Sequence, residues 1–170
     1  MRAVYLLGFR GAGKTTLGRA AARELGWEFI DLDEAWELSH GSIEAFVAGR
    51  GEAAFRVAEA EFLAEFELSL KDRVGVGMLV GTGGGIVESE AARKILCSSP
   101  HPKIYLEVGA EELWRRLEPL PQRRIIGALA DQNALNALLA RRQPHYEKIA
   151  TYSVKNQDIT TGLIELKRLL

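Results

Sequence analysis

The sequence predicts a three-layer α/β domain in which a parallel sheet lies between two layers of helices. Three observations carry that reading. Short, nearly uninterrupted apolar runs alternate with longer amphipathic stretches, as expected for strands covered on both faces. The first run leads directly into a glycine-rich turn and then into a helical pattern. The length, 170 residues, suffices for one domain with a sizeable core but is short for two.

Each element has its own signal. Val4-Tyr5-Leu6-Leu7 reads as a buried strand, and a helix follows from about Lys14 to Leu25, ended by Gly26. Phe29-Ile30 marks a second strand. The next helix is expected to start near Asp33, a suitable N-cap, and is interrupted at Gly41-Ser42. Within 52–70, Phe55, Ala58, Phe62, Leu63 and Phe66 recur at helical spacing, which predicts one long helix with a buried stripe. A third strand is expected over 76–80, ending at Gly81-Thr82-Gly83-Gly84-Gly85, and a helix over 89–96. Then come a strand at Ile104-Tyr105-Leu106 and a helix from about Ala110 to Leu117. Residues 117–126 contain Pro119, Pro121 and three charges and follow neither period, so they read as a mobile surface loop. A helix over 131–149, a strand near 152–154 and a helix over 159–169 complete the alternation.

Composition narrows the function. With 47% hydrophobic and 26% charged residues the chain is far from the disordered regime. Net charge of -1 and a pI near 6.3 argue against general affinity for nucleic acid or an anionic membrane, so neither is expected as a partner. Residues 91–170 nevertheless carry 13 Lys and Arg against 8 Asp and Glu, including the pairs Arg115-Arg116, Arg123-Arg124 and Arg141-Arg142. Such pairs suit either a solvated helix face or an anionic small molecule. The single Cys97 excludes an internal disulfide, fits a reducing compartment and is expected as a small buried hydrophobe. No stretch has the length of a signal-peptide core or a membrane span, which predicts a cytoplasmic protein.

Gly8-Phe9-Arg10-Gly11-Ala12-Gly13-Lys14-Thr15 satisfies G-x-x-x-x-G-K-[ST] in full. In a chain of this composition a chance match arises roughly once in two hundred sequences, and this one stands between a strand and a helix as the chemistry requires. Backbone N–H groups of Gly11, Ala12 and Gly13, with those of Lys14, Thr15 and Thr16 at the helix start, can converge on phosphate oxygens. Lys14 can bridge the β- and γ-phosphates, and the Thr15 hydroxyl can ligate Mg²⁺. The domain is therefore expected to be of the P-loop NTPase type.

Two of the five Asp residues form Asp31-Leu32-Asp33 at the end of the second strand. On an extended strand both carboxylates would share a face and project into the crevice at the carboxyl edge of the sheet, where such sheets bind ligands. One can hold hydrated Mg²⁺ and the other can accept a proton from an attacking hydroxyl; the plainer alternative is an N-cap and a surface acid. Arg56 points off the apolar stripe and can pair with Glu59. The glycines at 83–85 can let backbone lie against a small ligand.

Taken in order, Gly-x-x-Gly-x-Gly-Lys-Thr, Phe-Ile-Asp-Leu-Asp, Gly-Glu-x-x-Phe-Arg, Gly-Thr-Gly-Gly-Gly and Arg-Arg-Gln-Pro-x-Tyr resemble shikimate kinase, across nearly the whole chain to about Ala150. The resemblance implies phosphoryl transfer from ATP to the 3-hydroxyl of shikimate, on the route to chorismate and the aromatic amino acids, by a monomer. It implies Asp33 as base and hydroxyl ligand, and Arg56 and Arg142 as a clamp on the carboxylate. Gly83, Gly84 and Gly85 would line the same pocket, within a substrate-binding segment of about 33–62. Asp31 would position Mg²⁺ through water beside Thr15. Arg116 would lie by the adenine, and Arg123 would be a lid arginine reaching the phosphates from 117–126. The lid departs from the usual Arg-Pro-Leu-Leu, reading Arg123-Arg124-Ile125-Ile126, so Arg124 is an alternative. The segment 155–161 departs as well, and no adenine residue is assigned in it. Other readings are a gluconate kinase or nucleoside monophosphate kinase, or a nucleotide-binding regulatory module without turnover. The three His have no metal-ligand spacing, and Trp27, Trp36 and Trp114 are expected to pack.

Overall fold

The computed structural model describes residues 3–118 and 131–170. Most of the expected lid, with Arg123 and Arg124, lies outside the described residues. Five strands form one parallel sheet: β1 (Ala3–Leu7), β2 (Glu28–Asp31), β3 (Met78–Gly81), β4 (Lys103–Glu107) and β5 (Tyr152–Lys155), in the order β2-β3-β1-β4-β5. The helices are α1 (Lys14–Leu25), α2 (Leu32–His40), α3 (Ile43–Arg50), α4 (Glu52–Leu70), α5 (Glu90–Ser98), α6 (Ala110–Leu117), α7 (Gln132–Ile149) and α8 (Ile159–Leu169), and a single 3₁₀ turn spans Ile86–Glu88.

Alternate residues of each central strand serve opposite cores, which is why these strands read as continuous apolar runs. Tyr5, Leu7, Val80 and Tyr105 pack on one face with Leu63 of α4, Leu96 of α5 and Tyr146 of α7. Val4, Leu6, Leu79, Ile104 and Leu106 pack on the other with Leu17 of α1, Leu113 of α6 and Leu166 of α8. Burial of one such leucine contributes about 2 kcal/mol, so the two cores fix the sheet that carries the glycine-rich turn. β1 sits between β3 and β4, and its carboxyl end therefore opens into the middle of the sheet edge where the glycine-rich turn follows.

Three expectations are corrected. The N-cap of α2 is Asp31, whose side chain accepts from the amides of Asp33 (3.1 Å) and Glu34 (3.4 Å). The helix follows the strand with no intervening loop, so Asp33 lies in its first turn and the shared strand face does not exist. The third strand begins at Met78; Val74 and Val76 are exposed ahead of it. Cys97 is exposed, because α5 buries Ala92 and Leu96 and a helix turns the next position about 100° away.

Candidate active site

The loop between β1 and α1 closes on itself through its glycines. Gly13, the N-cap of α1, adopts φ 90°, a left-handed conformation in which a side chain would be strained. Its amide and those that follow thereby face the sheet edge at the positive end of α1. Lys14 folds back and donates to the carbonyls of Gly8 (2.8 Å) and Phe9 (3.0 Å), which sets its ammonium within the loop. Burial pulls its pKa down to about 8, and the charges of Asp33 and Asp31 act in the opposite sense. Thr15 donates its hydroxyl to Asp31 Oδ2 at 2.7 Å, while Thr16 is exposed in the same turn.

Asp31 thus ties α1 to α2 and aims the first turn of α2 at the loop. Asp33, carried by that turn, lies against Gly83: a Cβ built there would fall 2.7 Å from both Asp33 Oδ1 and Glu59 Oε1. Burial raises the pKa of Asp33, the neighbouring Asp31 adds to the rise, and Lys14 and Arg56 oppose it. Glu59 is pushed up to about 7 by burial, against the pull of Arg56.

Arg56 and Arg142 come from α4 and α7, yet they meet. Arg56 donates to Glu59 (2.8 Å) and to Glu52 (3.1 Å). Arg142, only 2% exposed, donates to the Gly84 carbonyl at 3.3 Å and to Glu88 Oε2 at 3.1 Å, and the same Glu88 oxygen is 3.9 Å from Arg56. The expected ion pair of Arg56 with Glu59 is present, but Arg142 is no solvated helix charge. Each of these two guanidiniums keeps a buried Nε with no hydrogen-bond partner. The glycine run lets the elements approach: at Gly85 a Cβ would fall 2.2 Å from Arg56 Nη2. Gly84 offers its carbonyl to both Arg142 and the Tyr146 hydroxyl.

Beside Asp33 the walls are apolar. Leu32, Trp36, Phe55 and Ile86 enclose, with Asp33 and Glu59, a cavity of about 10 Å³. Trp36 meets Phe55 edge to face at 5.4 Å, in keeping with a packing role, and also stacks on His40. Arg116 bridges the phosphate loop and the segment after β5, donating to the carbonyls of Gly11 (3.2 Å), Asn156 (3.0 Å) and Gln157 (3.0 Å). Two residues that the sequence did not single out complete the region. Asn156 is fully buried and donates to the Ala12 carbonyl, and Glu88 joins the two guanidiniums; neither stands in a motif.

An anion cradle, an ammonium, two carboxylates and a pair of guanidiniums therefore line one edge of the sheet. A family model described as shikimate kinase matches residues 10–165. This chain belongs to the shikimate kinase family. It is accordingly an ATP-dependent kinase that passes a phosphoryl group to a hydroxyl, the shikimate kinase reaction of the route to the aromatic amino acids. A shikimate kinase of Bordetella avium (strain 197N) is 36% identical over 168 residues, covering 98% of this chain and 75% of the relative. The structure of shikimate kinase from Acinetobacter baumannii in complex with shikimate superposes with a TM-score of 0.84 at 29% identity, covering 99% of this chain and 90% of that one. A gluconokinase from Sinorhizobium meliloti 1021, at 18% identity and a TM-score of 0.57, shares with this shikimate kinase family member the fold alone. No helix among the described residues is long and apolar enough to cross a membrane.

Proposed function

We propose that this kinase transfers the γ-phosphoryl group of ATP to the 3-hydroxyl of shikimate, with Asp33 as the base and Arg56 and Arg142 as the clamp on the substrate carboxylate. The observation that carries the reading is the convergence of those two guanidiniums on one carboxylate oxygen, with Arg56 near enough to Asp33 for its charge to act on that carboxyl. A buried and a half-buried cation, each with a buried, unpartnered Nε–H, are suited to a carboxylate, which accepts several charge-assisted hydrogen bonds at once.

Gly11, Gly13, Thr15 and Thr16 present backbone N–H groups to the phosphates, Ala12 shapes the loop by donating its own amide to the Phe9 carbonyl at 3.1 Å, and Lys14 brings its ammonium to the transferred group. Arg116, fixed between the loop and residues 156–157, borders the adenine side. Gly83, Gly84 and Gly85, lacking side chains, let Asp33, Glu59, the Phe9–Arg10 backbone and Arg56 close in on their backbone, and so gather these groups around the acceptor. Asp33, whose raised pKa places it closer to the working pH than an ordinary carboxylate, takes the proton of the attacking hydroxyl. Arg123 or Arg124, both outside the described residues, is proposed as the arginine that meets the charge on the phosphoryl group.

Thr15 and Asp31 fit a magnesium ion. Their oxygens are hard donors 2.7 Å apart at the start of α1. No cluster of three or more His, Cys, Asp or Glu that could hold a metal occurs among the described residues. The remaining ligands would then be water and phosphate, the usual situation for this ion. Bound there, Mg²⁺ would offset phosphate charge.

The acceptor is tested by ADP release with ATP and Mg²⁺ in the presence of shikimate, gluconate or AMP. Acceleration by shikimate alone is the expected result. Turnover with gluconate or AMP, or nucleotide binding with no acceleration by any of the three, would overturn the assignment. The protein is proposed to act in the cytoplasm as a single-domain monomer.

A further inference from the structure

Glu88 occupies the point on which the two clamp arginines converge. Its Oε2 accepts from Arg142 at 3.1 Å and lies 3.9 Å from Arg56, so it stands where an oxygen of a clamped acid would lie. Among the described residues it is the one ion-pair partner of Arg142, whose guanidinium is almost wholly buried. A buried cation without a counter-charge is strongly disfavoured, so an internal carboxylate stabilises the substrate-free site. We propose that Glu88 is the resident counter-ion of the clamp, that an acidic acceptor displaces it toward Arg141, and that this exchange sets the affinity for the acceptor. The inference rests on the reading of Arg56 and Arg142 as the carboxylate clamp.

Three features equip Glu88 for displacement. Its other oxygen, Oε1, already accepts from Arg141 Nε at 3.0 Å and from Arg141 Nη2, and Arg141 is an exposed residue of the rim. A cavity of about 280 Å³ lined by Glu88, Arg93, Arg141, Arg142 and His145 adjoins the carboxylate and gives it room to turn outward. The backbone is held meanwhile, because Arg93 donates to the carbonyls of Val87 (2.6 Å) and Glu88 (3.2 Å). Only the side chain needs to move. Arg142 keeps its own anchors when Glu88 leaves: the Gly84 carbonyl at 3.3 Å and the ring of Phe9, 5.3 Å from Cζ.

Two carboxylates cannot use one guanidinium edge together without close like-charge contact. Acceptor affinity is therefore reduced by the fraction of time for which Glu88 holds Arg142. Specificity is sharpened as well, since an uncharged acceptor has no group with which to exchange.

Steady-state kinetics at saturating ATP test the proposal. Glu88→Gln and Glu88→Ala should lower KM for shikimate about threefold to tenfold, while KM for ATP stays within about twofold of wild type. Arg141→Ala, an exposed substitution that leaves folding intact, removes the outward partner and should raise KM for shikimate by about twofold to threefold. In thermal melts without substrate the two Glu88 variants should melt lower than wild type, yet gain more from added shikimate. A raised KM in the Glu88 variants would make Glu88 a support for Arg142 and overturn the proposal, as would an unchanged KM or a lowered KM in Arg141→Ala. Failure of wild-type protein to turn over shikimate would overturn the clamp reading and this proposal together, whereas normal turnover with KM unmoved in every variant would overturn this proposal alone.

Discussion

The Asn156 side chain donates to the Ala12 carbonyl at 2.7 Å, joining the segment after β5 to the centre of the phosphate loop. The same amide nitrogen lies 2.6 Å from where a Cβ on Gly13 would be, so the loop is held against it with no space between. The backbone of Asn156 is fixed too, donating to Glu107 at 2.9 Å and accepting from Arg116.

Replacement of Asn156 by Ala should therefore act on the loop and not only on the core. It leaves the Ala12 carbonyl buried without a donor, at a cost of about 1–3 kcal/mol in denaturant unfolding. Nucleotide affinity, followed by titration with ATP, should weaken while KM for shikimate stays within about twofold, because the clamp is on α4 and α7. Equal weakening toward both ligands would mean that Asn156 merely supports the fold.

Asp31 carries two loads, the Thr15 hydroxyl on one oxygen and the start of α2 on the other. Asp31→Asn retains an oxygen for capping but loses the charge, so the Mg²⁺ concentration at half-maximal rate should rise by at least about tenfold with only a small change in stability. Asp31→Ala should add a loss of about 1 kcal/mol in stability from the missing cap. A Mg²⁺ titration that superposes on wild type would remove Asp31 from the metal's surroundings.

Lys14 titrates within the accessible range, since its pKa is lowered to about 8 by burial. ATP binds the ammonium form, so affinity should be full below pH 8 and decline above it, by up to about tenfold per pH unit. The direction follows from the lowered value: the free enzyme sheds this proton before an ordinary lysine would. Lys14→Met should bind ATP weakly, with no break near pH 8. A wild-type affinity that is flat from pH 7 to 9.5 would contradict this assignment.

The parts of the site legible in the sequence are those in which the chemistry dictates residue type and local spacing together. The phosphate loop is the clearest case: glycine at position 13 is required by a positive φ, and Lys14 and Thr15 by the phosphates and metal. Arg56 and Glu59 were legible as a pair because three residues on a helix bring them together. The shared strand face expected for the two carboxylates is absent, Asp31 capping α2 and Asp33 standing in its first turn, since a helix that starts on the residue after the strand cannot be distinguished from one more strand residue by apolar pattern alone. Glu88 and Asn156 left no signal. Each matters through a partner more than fifty residues away in the chain, and only the packing of α7 and of the β5 edge on the glycine turns brings the partners together. Cys97 misled because the burial of a small residue in a short amphipathic helix depends on one step of rotation.

The account depends on Asp33 standing between the phosphate cradle and the acceptor hydroxyl, and the most direct test is single-turnover phosphoryl transfer by Asp33→Asn at saturating ATP, Mg²⁺ and shikimate. The amide keeps the shape but cannot take the proton. The rate should fall by at least about 10²-fold, the usual scale for a general base, with ATP affinity within about twofold of wild type. A transfer rate near that of wild type would contradict the central claim.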